Sequence, residues 1–69
     1  MKTKKNDILV KNIKTLNVVI KNLSNAHGGS PGESAKISLM TGIKESIEDK
    51  DVRSSFVDYC FFNHAITVE

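Results

Sequence analysis

Residues 25–36, NAHGGSPGESAK, decide where the first helix of this chain ends and the second begins. They contain three of the four glycines and the only proline. Gly28 and Gly29 are typical of a helix end, because glycine adopts a positive φ at little cost. Residues 30–33 form an S-x-x-E capping pattern that places Pro31 at the first helical position. The segment therefore predicts a turn between two antiparallel helices.

The stretch before this turn carries an apolar stripe of helical period. Asn6 is a good N-cap, and the residues after it predict a helix over residues 7–24. Apolar residues recur there at steps of four and three: Leu9, Ile13, Leu16, Ile20 and Leu23. Residues 1–6 are expected to form a flexible basic tail.

The second helix is predicted over residues 31–48, with an apolar face and a flank of small side chains. The apolar face consists of Leu39, Met40, Ile43 and Ile47. The small residues recur every four positions as Ser34, Ser38, Gly42 and Ser46. Such a ridge either lets another helix approach closely or is an exposed polar flank.

A third helix is predicted over residues 51–64, after the charged break EDKD, in which Asp49 or Asp51 is the expected cap. One face carries Val52, Phe56, Tyr59 and Cys60, whereas Val57 and Phe61 point the other way and Phe62 lies at the edge. A helix that is apolar on both sides is central or lies in an interface. In so short a chain this pattern indicates a binding surface.

These elements predict an all-α fold, a small three-helix bundle with the order helix–turn–helix–helix, as one domain over residues 1–69. The segment ITVE after the third helix is expected to be a short strand or to fray. A single core of this size supplies little net stability, and the lone Cys60 excludes a disulfide within the chain. We therefore expect self-association through the third helix.

The function expected from this pattern is that of a non-enzymatic regulatory or inhibitory protein that acts by occupying a partner's surface. The contacts are expected at Val57, Phe61 and Phe62, since large rings dominate such interfaces. The partner is the chain itself, as a homodimer or higher oligomer, or another protein. The apolar run at residues 8–10 is too short for a signal peptide or a membrane span, so a cytoplasmic location is expected. The Lys-, Asn- and Ile-rich composition resembles that of proteins from AT-rich phages and mobile elements.

Charge is distributed unevenly along the chain and raises a second functional hypothesis. Residues 1–24 carry six lysines against Asp7, a net charge of +5, whereas the remainder carries −3, which gives the overall +2. The two parts are expected to attract each other, within one chain or between chains. Alternatively, Lys11, Lys14 and Lys21 contact a nucleic acid backbone. The alternative to both is a solvated lysine face.

The glycine-rich turn raises a third hypothesis, the binding of an anionic nucleotide at a helix N-terminus. Its contacts would be His27, Ser30 and Lys36. The turn lacks the lysine of a P-loop, and Glu33 in the first helical turn would repel a phosphate.

Cys60 and His64 lie one helical turn apart, but they do not make a catalytic or metal-binding set. A structural zinc site needs four ligands, and the chain has one cysteine and two histidines. The expected roles are a buried thiol for Cys60 and a favourable place for His64 at the negative end of the helix. No catalytic residue, metal or cofactor is predicted.

Overall fold

A computed structural model describes residues 4–29 and 31–69, and the side chain of His27 lies outside this description. It contains three helices, α1 (Lys4–His27), α2 (Glu33–Ser46) and α3 (Lys50–His64). In the described residues there is no strand. The predicted all-α three-helix bundle is confirmed, with principal extents of 42 × 22 × 19 Å.

The helix α1 begins at Lys4, three residues before the predicted start, so Asn6 lies inside the helix and does not cap it. Asp7 is in the first turn, where a carboxylate favours the helix dipole. The helix ends at His27, three residues beyond the predicted range, and it stops at the predicted glycines, because Gly28 adopts a φ of +72°. The Gly29 amide donates to the Ser24 carbonyl at 3.0 Å, which closes a Schellman motif.

The start of α2 differs from the prediction. Gly32 is the N-cap in extended conformation, with no side-chain hydrogen bond to the helix, and the first helical residue is Glu33. Pro31 therefore precedes the helix, whereas Ser30 of the predicted capping box lies outside the described residues. At the other end, Ile47 is extended and stops α2 two residues before the predicted boundary.

The break between α2 and α3 follows the prediction that an aspartate caps the third helix. The Asp49 carboxylate accepts hydrogen bonds from the amides of Asp51 at 2.8 Å and Val52 at 3.1 Å. Arg53 closes the same corner, because its Nε and Nη2 donate to the Ile47 carbonyl at 3.2 and 3.1 Å. This guanidinium contact was not expected, and it satisfies a carbonyl left free where α2 ends.

The core lies along the line where the three helices meet, and it includes residues from beyond α3. Its buried side chains are Leu16, Met40, Ile47, Val52, Phe56, Cys60, Ile66 and Val68. The predicted apolar faces of the helices supply most of them. Residues 65–69 are neither a strand nor exposed throughout: Ile66 and Val68 are buried, and the Lys44 ammonium donates to the main-chain oxygen of Glu69.

The flank of small residues on α2 is exposed to solvent. Ser34, Ser38, Gly42 and Ser46 are all exposed. A Cβ atom added at Gly42 would meet no atom within 4 Å. Of the two interpretations of this flank, the exposed one is therefore correct within the chain.

Candidate protein-binding surface

Two aromatic side chains of α3 lie on the outside of the bundle. Phe61 is 52% exposed and Phe62 is 78% exposed. Their ring centroids are 5.4 Å apart at an interplanar angle of 75°, an edge-to-face arrangement that aromatic pairs favour. Val57, the third expected contact, is half-buried and packs against the core. The exposed part of the predicted surface is therefore this aromatic pair.

The position of the pair follows from the helical period of α3. Phe56 and Cys60 are fully buried, and Phe61 and Phe62 follow directly at about 100° per residue, which turns them out of the core. Asp58 is exposed one turn before the pair, and it makes no ion pair within residues 4–29 and 31–69. The aromatic surface thus has an unpaired carboxylate beside it.

Two polar contacts align α1 with α3 and show that the two helices run parallel. Near their starts, Lys5 Nζ lies 2.8 Å from Asp51 and 3.7 Å from Asp49. Further along, the Asn17 amide donates to the Tyr59 hydroxyl at 3.1 Å. The expected attraction between the basic N-terminal part and the acidic remainder occurs within the chain at Lys5.

These contacts also shift two pKa values. The hydrogen bond to Asp51 and the charge of Asp49 raise the pKa of Lys5. The pKa of Asp49 is lowered, chiefly by the hydrogen bond from the Val52 amide and then by that from Asp51, with a contribution from the Lys5 charge. Both groups therefore remain charged over a wider pH range than in the unfolded chain.

The remaining lysines of α1 point outward. Lys11, Lys14 and Lys21 are exposed and have no ion pair in the part of the chain that the structure describes. Val18, between the last two, is 55% exposed. Successive residues of a helix are rotated by about 100° around its axis. Measured from Asn17, which points toward α3, three side chains lie roughly 40–100° around α1 in the direction away from the buried Leu16: Lys14, Val18 and Lys21.

On α3 the corresponding rotation has the opposite sense. Relative to Tyr59, Asp58 and Phe62 are turned by roughly 60–100° away from the buried Phe56 and Cys60. Because the two helices are parallel and face each other, opposite rotations lead to the same side of the bundle. One surface, which we call the mixed-charge face, therefore carries Lys14, Val18 and Lys21 on α1 and Asp58 and Phe62 on α3.

Two asparagines of α1 that could have reached a nucleic acid base are used within the chain. Asn12 donates to the Ile8 carbonyl at 2.8 Å, and Asn17 is bonded to Tyr59. Asn22, the third asparagine of α1 that could reach a base, is exposed beside Lys21, so a nucleic acid would still meet one such amide there.

The anion hypothesis concerns residues that the structure describes only in part. Ser30 and the side chain of His27 lie outside the described residues. Lys36, in the first turns of α2, lines a shallow recess with Glu33 and His64. A carboxylate in this recess disfavours a phosphate there.

His64 differs from the expectation that it benefits, as a cation, from the negative end of α3. It is the last residue of that helix, but burial and the nearby Lys36 charge lower its pKa. Its Nε2 is buried without a hydrogen-bond partner in the described structure. Its ring packs edge-on against Tyr59 at 5.9 Å. Burial and the Lys36 charge therefore favour the neutral form of His64.

Cys60 has the buried role expected of it. Its side chain is fully buried, and this burial raises the pKa of its thiol to about 11. The thiol is therefore protonated at pH 7 and unsuited to act as a nucleophile. Residues 4–29 and 31–69 hold no group of three or more His, Cys, Asp or Glu side chains arranged to bind a metal ion.

Sequence reasoning assigned two members of the mixed-charge face to no surface. Val18 is a single apolar residue on the polar side of α1, and such residues are common on surfaces. Asp58 gave no signal beyond its place in sequence a few residues before two exposed rings. Only the alignment of α1 with α3 reveals that both belong to one surface.

No protein-family model, curated protein or solved structure matches this chain. Among the described helices, none combines the length and the apolar character that crossing a membrane requires.

Proposed function

We propose that this chain is a non-enzymatic regulatory or inhibitory protein that acts by binding a protein partner through the outer surface of α3. The observation that supports the proposal most is the exposure of Phe62, 78%, beside the half-exposed Phe61. A ring this exposed contributes little to the core of its own chain. It gains stability when a partner removes it from water.

The aromatic pair has the properties of an interface hot spot. Phenylalanine rings add large apolar area with few rotatable bonds, and a few such residues supply most of the energy of an interface, each about 2 kcal/mol or more. The pair is pre-organised because the two rings already pack on each other and sit on a regular helix. Little conformational entropy is then lost on binding.

Site-specific photo-crosslinking in cells that produce the protein tests this function. A photoreactive amino acid at position 62 should give protein adducts, and the same group at Glu45 on the exposed side of α2 should not. Combining the probe at position 62 with Phe61→Asp should reduce the adducts. Equal labelling at both positions, or no protein adducts at position 62, would contradict the proposal.

Nucleic acid binding is the second candidate, favoured by the exposure of Lys11, Lys14 and Lys21 without ion pairs in the described structure. It requires affinity that falls steeply with salt, with a slope of about −0.9 for each phosphate contacted on duplex DNA. A gel-shift series at low salt tests it, and no shift at micromolar protein would end it. The carboxylate of Asp58 on the same face weakens this candidate.

A further inference from the structure

We infer that the partner of the mixed-charge face is a second copy of this chain, placed so that α1 of each copy lies over α3 of the other. The inference rests on the proposed function in that Phe62 is a protein contact. It adds the identity of the partner, the second surface and the symmetry of the complex.

Two copies can pack their mixed-charge faces together about a two-fold axis in two ways, and charge complementarity favours this one. In the mixed-charge face, lysines lie along α1 and an unpaired carboxylate lies on α3. A two-fold axis in the plane of the face and perpendicular to the helices would stack α1 on α1, where the exposed Lys11, Lys14 and Lys21 outnumber the single carboxylate of Asp7. An axis parallel to the helices stacks α1 on α3, so that Lys14 and Lys21 of one copy meet Asp58 and Phe62 of the other.

The register within one chain carries over to this dimer, because an axis parallel to the helices preserves the height of each residue along them. The Asn17 amide donates to the Tyr59 hydroxyl, so the two residues lie at the same height to within the reach of a tyrosine side chain. Lys14 lies three residues before Asn17, and Asp58 lies one residue before Tyr59. At about 1.5 Å per residue they differ in height by only about 3 Å, which a lysine side chain spans.

The apolar groups are matched in the same way. Val18 lies one residue after Asn17 and Phe62 lies three residues after Tyr59, so their heights also differ by about 3 Å. The exposed valine of one copy therefore meets the exposed ring of the other. Lys21 is one turn after Val18 and comes within reach of the face of that ring, a position that favours a cation–π contact.

The pairing of charges is also the reason to prefer a second copy over a nucleic acid on this face. A polyanion would gain contacts with Lys14 and Lys21 but would face the carboxylate of Asp58 on the same surface. A second copy pairs both signs at once. Each contact then occurs twice in the dimer, because a two-fold interface repeats every contact.

Charge reversal on the two helices tests the arrangement. We expect Lys14→Asp and Asp58→Lys each to weaken self-association by at least about ten-fold at low ionic strength, since each places two like-charged pairs in the interface. An equimolar mixture of the two variants should form a heterodimer of at least wild-type affinity. In that mixture the chain with Lys14→Asp presents a carboxylate to the ammonium of the chain with Asp58→Lys. The native pair of Lys14 and Asp58 is kept at the other, symmetry-related contact.

The controls separate this inference from the proposed function. Glu45→Lys, on the exposed side of α2, should leave self-association unchanged, and circular dichroism should show that all variants remain helical. A mixture that associates no better than the single variants would overturn the inference, as would a wild-type chain that stays monomeric at millimolar concentration. If Phe62→Asp abolished association while both charge variants behaved as wild type, the aromatic contact would stand and the pairing would be wrong.

Discussion

Replacing Gly42 by alanine should stabilise this protein, and the size of the effect follows from the surroundings of that residue. Gly42 lies in the interior of α2, on the exposed flank of small residues. A Cβ atom there would meet nothing within 4 Å. A helix-interior glycine costs about 1 kcal/mol relative to alanine, so Gly42→Ala should raise the free energy of unfolding by about that amount.

The same number predicts a shift in melting temperature. Small proteins gain about 2.1 cal/mol/K of unfolding entropy per residue near their midpoint, which for 69 residues is roughly 0.14 kcal/mol/K. A gain of about 1 kcal/mol therefore corresponds to an increase in Tm of about 7 °C. Thermal and urea melts followed by circular dichroism at one fixed protein concentration measure both quantities.

Gly28→Ala is the matched control, because it is the same substitution at a position with a φ of +72°. An alanine in that left-handed conformation costs about 1–2 kcal/mol, so the control should lower Tm. If Gly42→Ala instead destabilised the protein, or lowered its tendency to self-associate, the flank of small residues would be a packing surface. The assignment of this flank to solvent would then be refuted.

Three other substitutions test the ends of the helices. Ala65→Gly should stabilise the fold by about 1 kcal/mol in urea melts, because Ala65 has a φ of 57° and glycine adopts that conformation without strain; no gain would contradict the left-handed cap of α3. Arg53→Lys should lower the free energy of unfolding by about 1.5–3 kcal/mol, because a lysine cannot reproduce the two bonds of the guanidinium to the Ile47 carbonyl. Lys50→Ala nearby should lower it little, and equal losses for the two variants would argue against a role of these two bonds. Asp49→Asn should keep the cap but flatten the pH dependence of stability at acid pH. The reason is that the pKa of Asp49 is lowered in the fold. The stability that its carboxylate contributes is therefore fully present above its unfolded pKa and is lost as the pH falls through its folded pKa. The lowered pKa of His64 also makes the protein less stable as the pH falls, but this loss begins near the unfolded pKa of histidine, about 6.5. If stability fell at acid pH as steeply in Asp49→Asn as in the wild type, groups other than Asp49 would dominate that fall.

Much of the fold could be predicted because local patterns specify it. The apolar stripe of α1 needs only helical period, the stop at Gly28 needs only a residue that tolerates positive φ, and the Asp49 cap needs only a short carboxylate before a helix. The boundary at the start of α2 was wrong because two signals compete within residues 30–33. The pattern S-x-x-E favours an early start, and the structure uses Gly32.

The parts that sequence reasoning missed depend on contacts between distant residues. Whether residues 65–69 are buried is decided by the space beside α2 and α3, which Ile66 and Val68 fill. The guanidinium of Arg53 finds its carbonyl only when α2 ends at Ser46. The mixed-charge face exists only because α1 runs parallel to α3 and beside it, as the contacts of Lys5 and Asn17 show. Helical period gives the side of each helix but not the height at which two helices meet.

The decisive experiment on the proposed dimer is the molecular mass in solution over a range of protein concentrations, by light scattering after size exclusion. For the wild-type chain we predict a mass that rises from that of one chain, 7.6 kDa, to that of two. For Phe62→Asp we predict a folded protein that stays at the mass of one chain over the same range. A wild-type mass that does not change with concentration up to millimolar, or a Phe62→Asp variant that associates as the wild type does, would rule out this dimer.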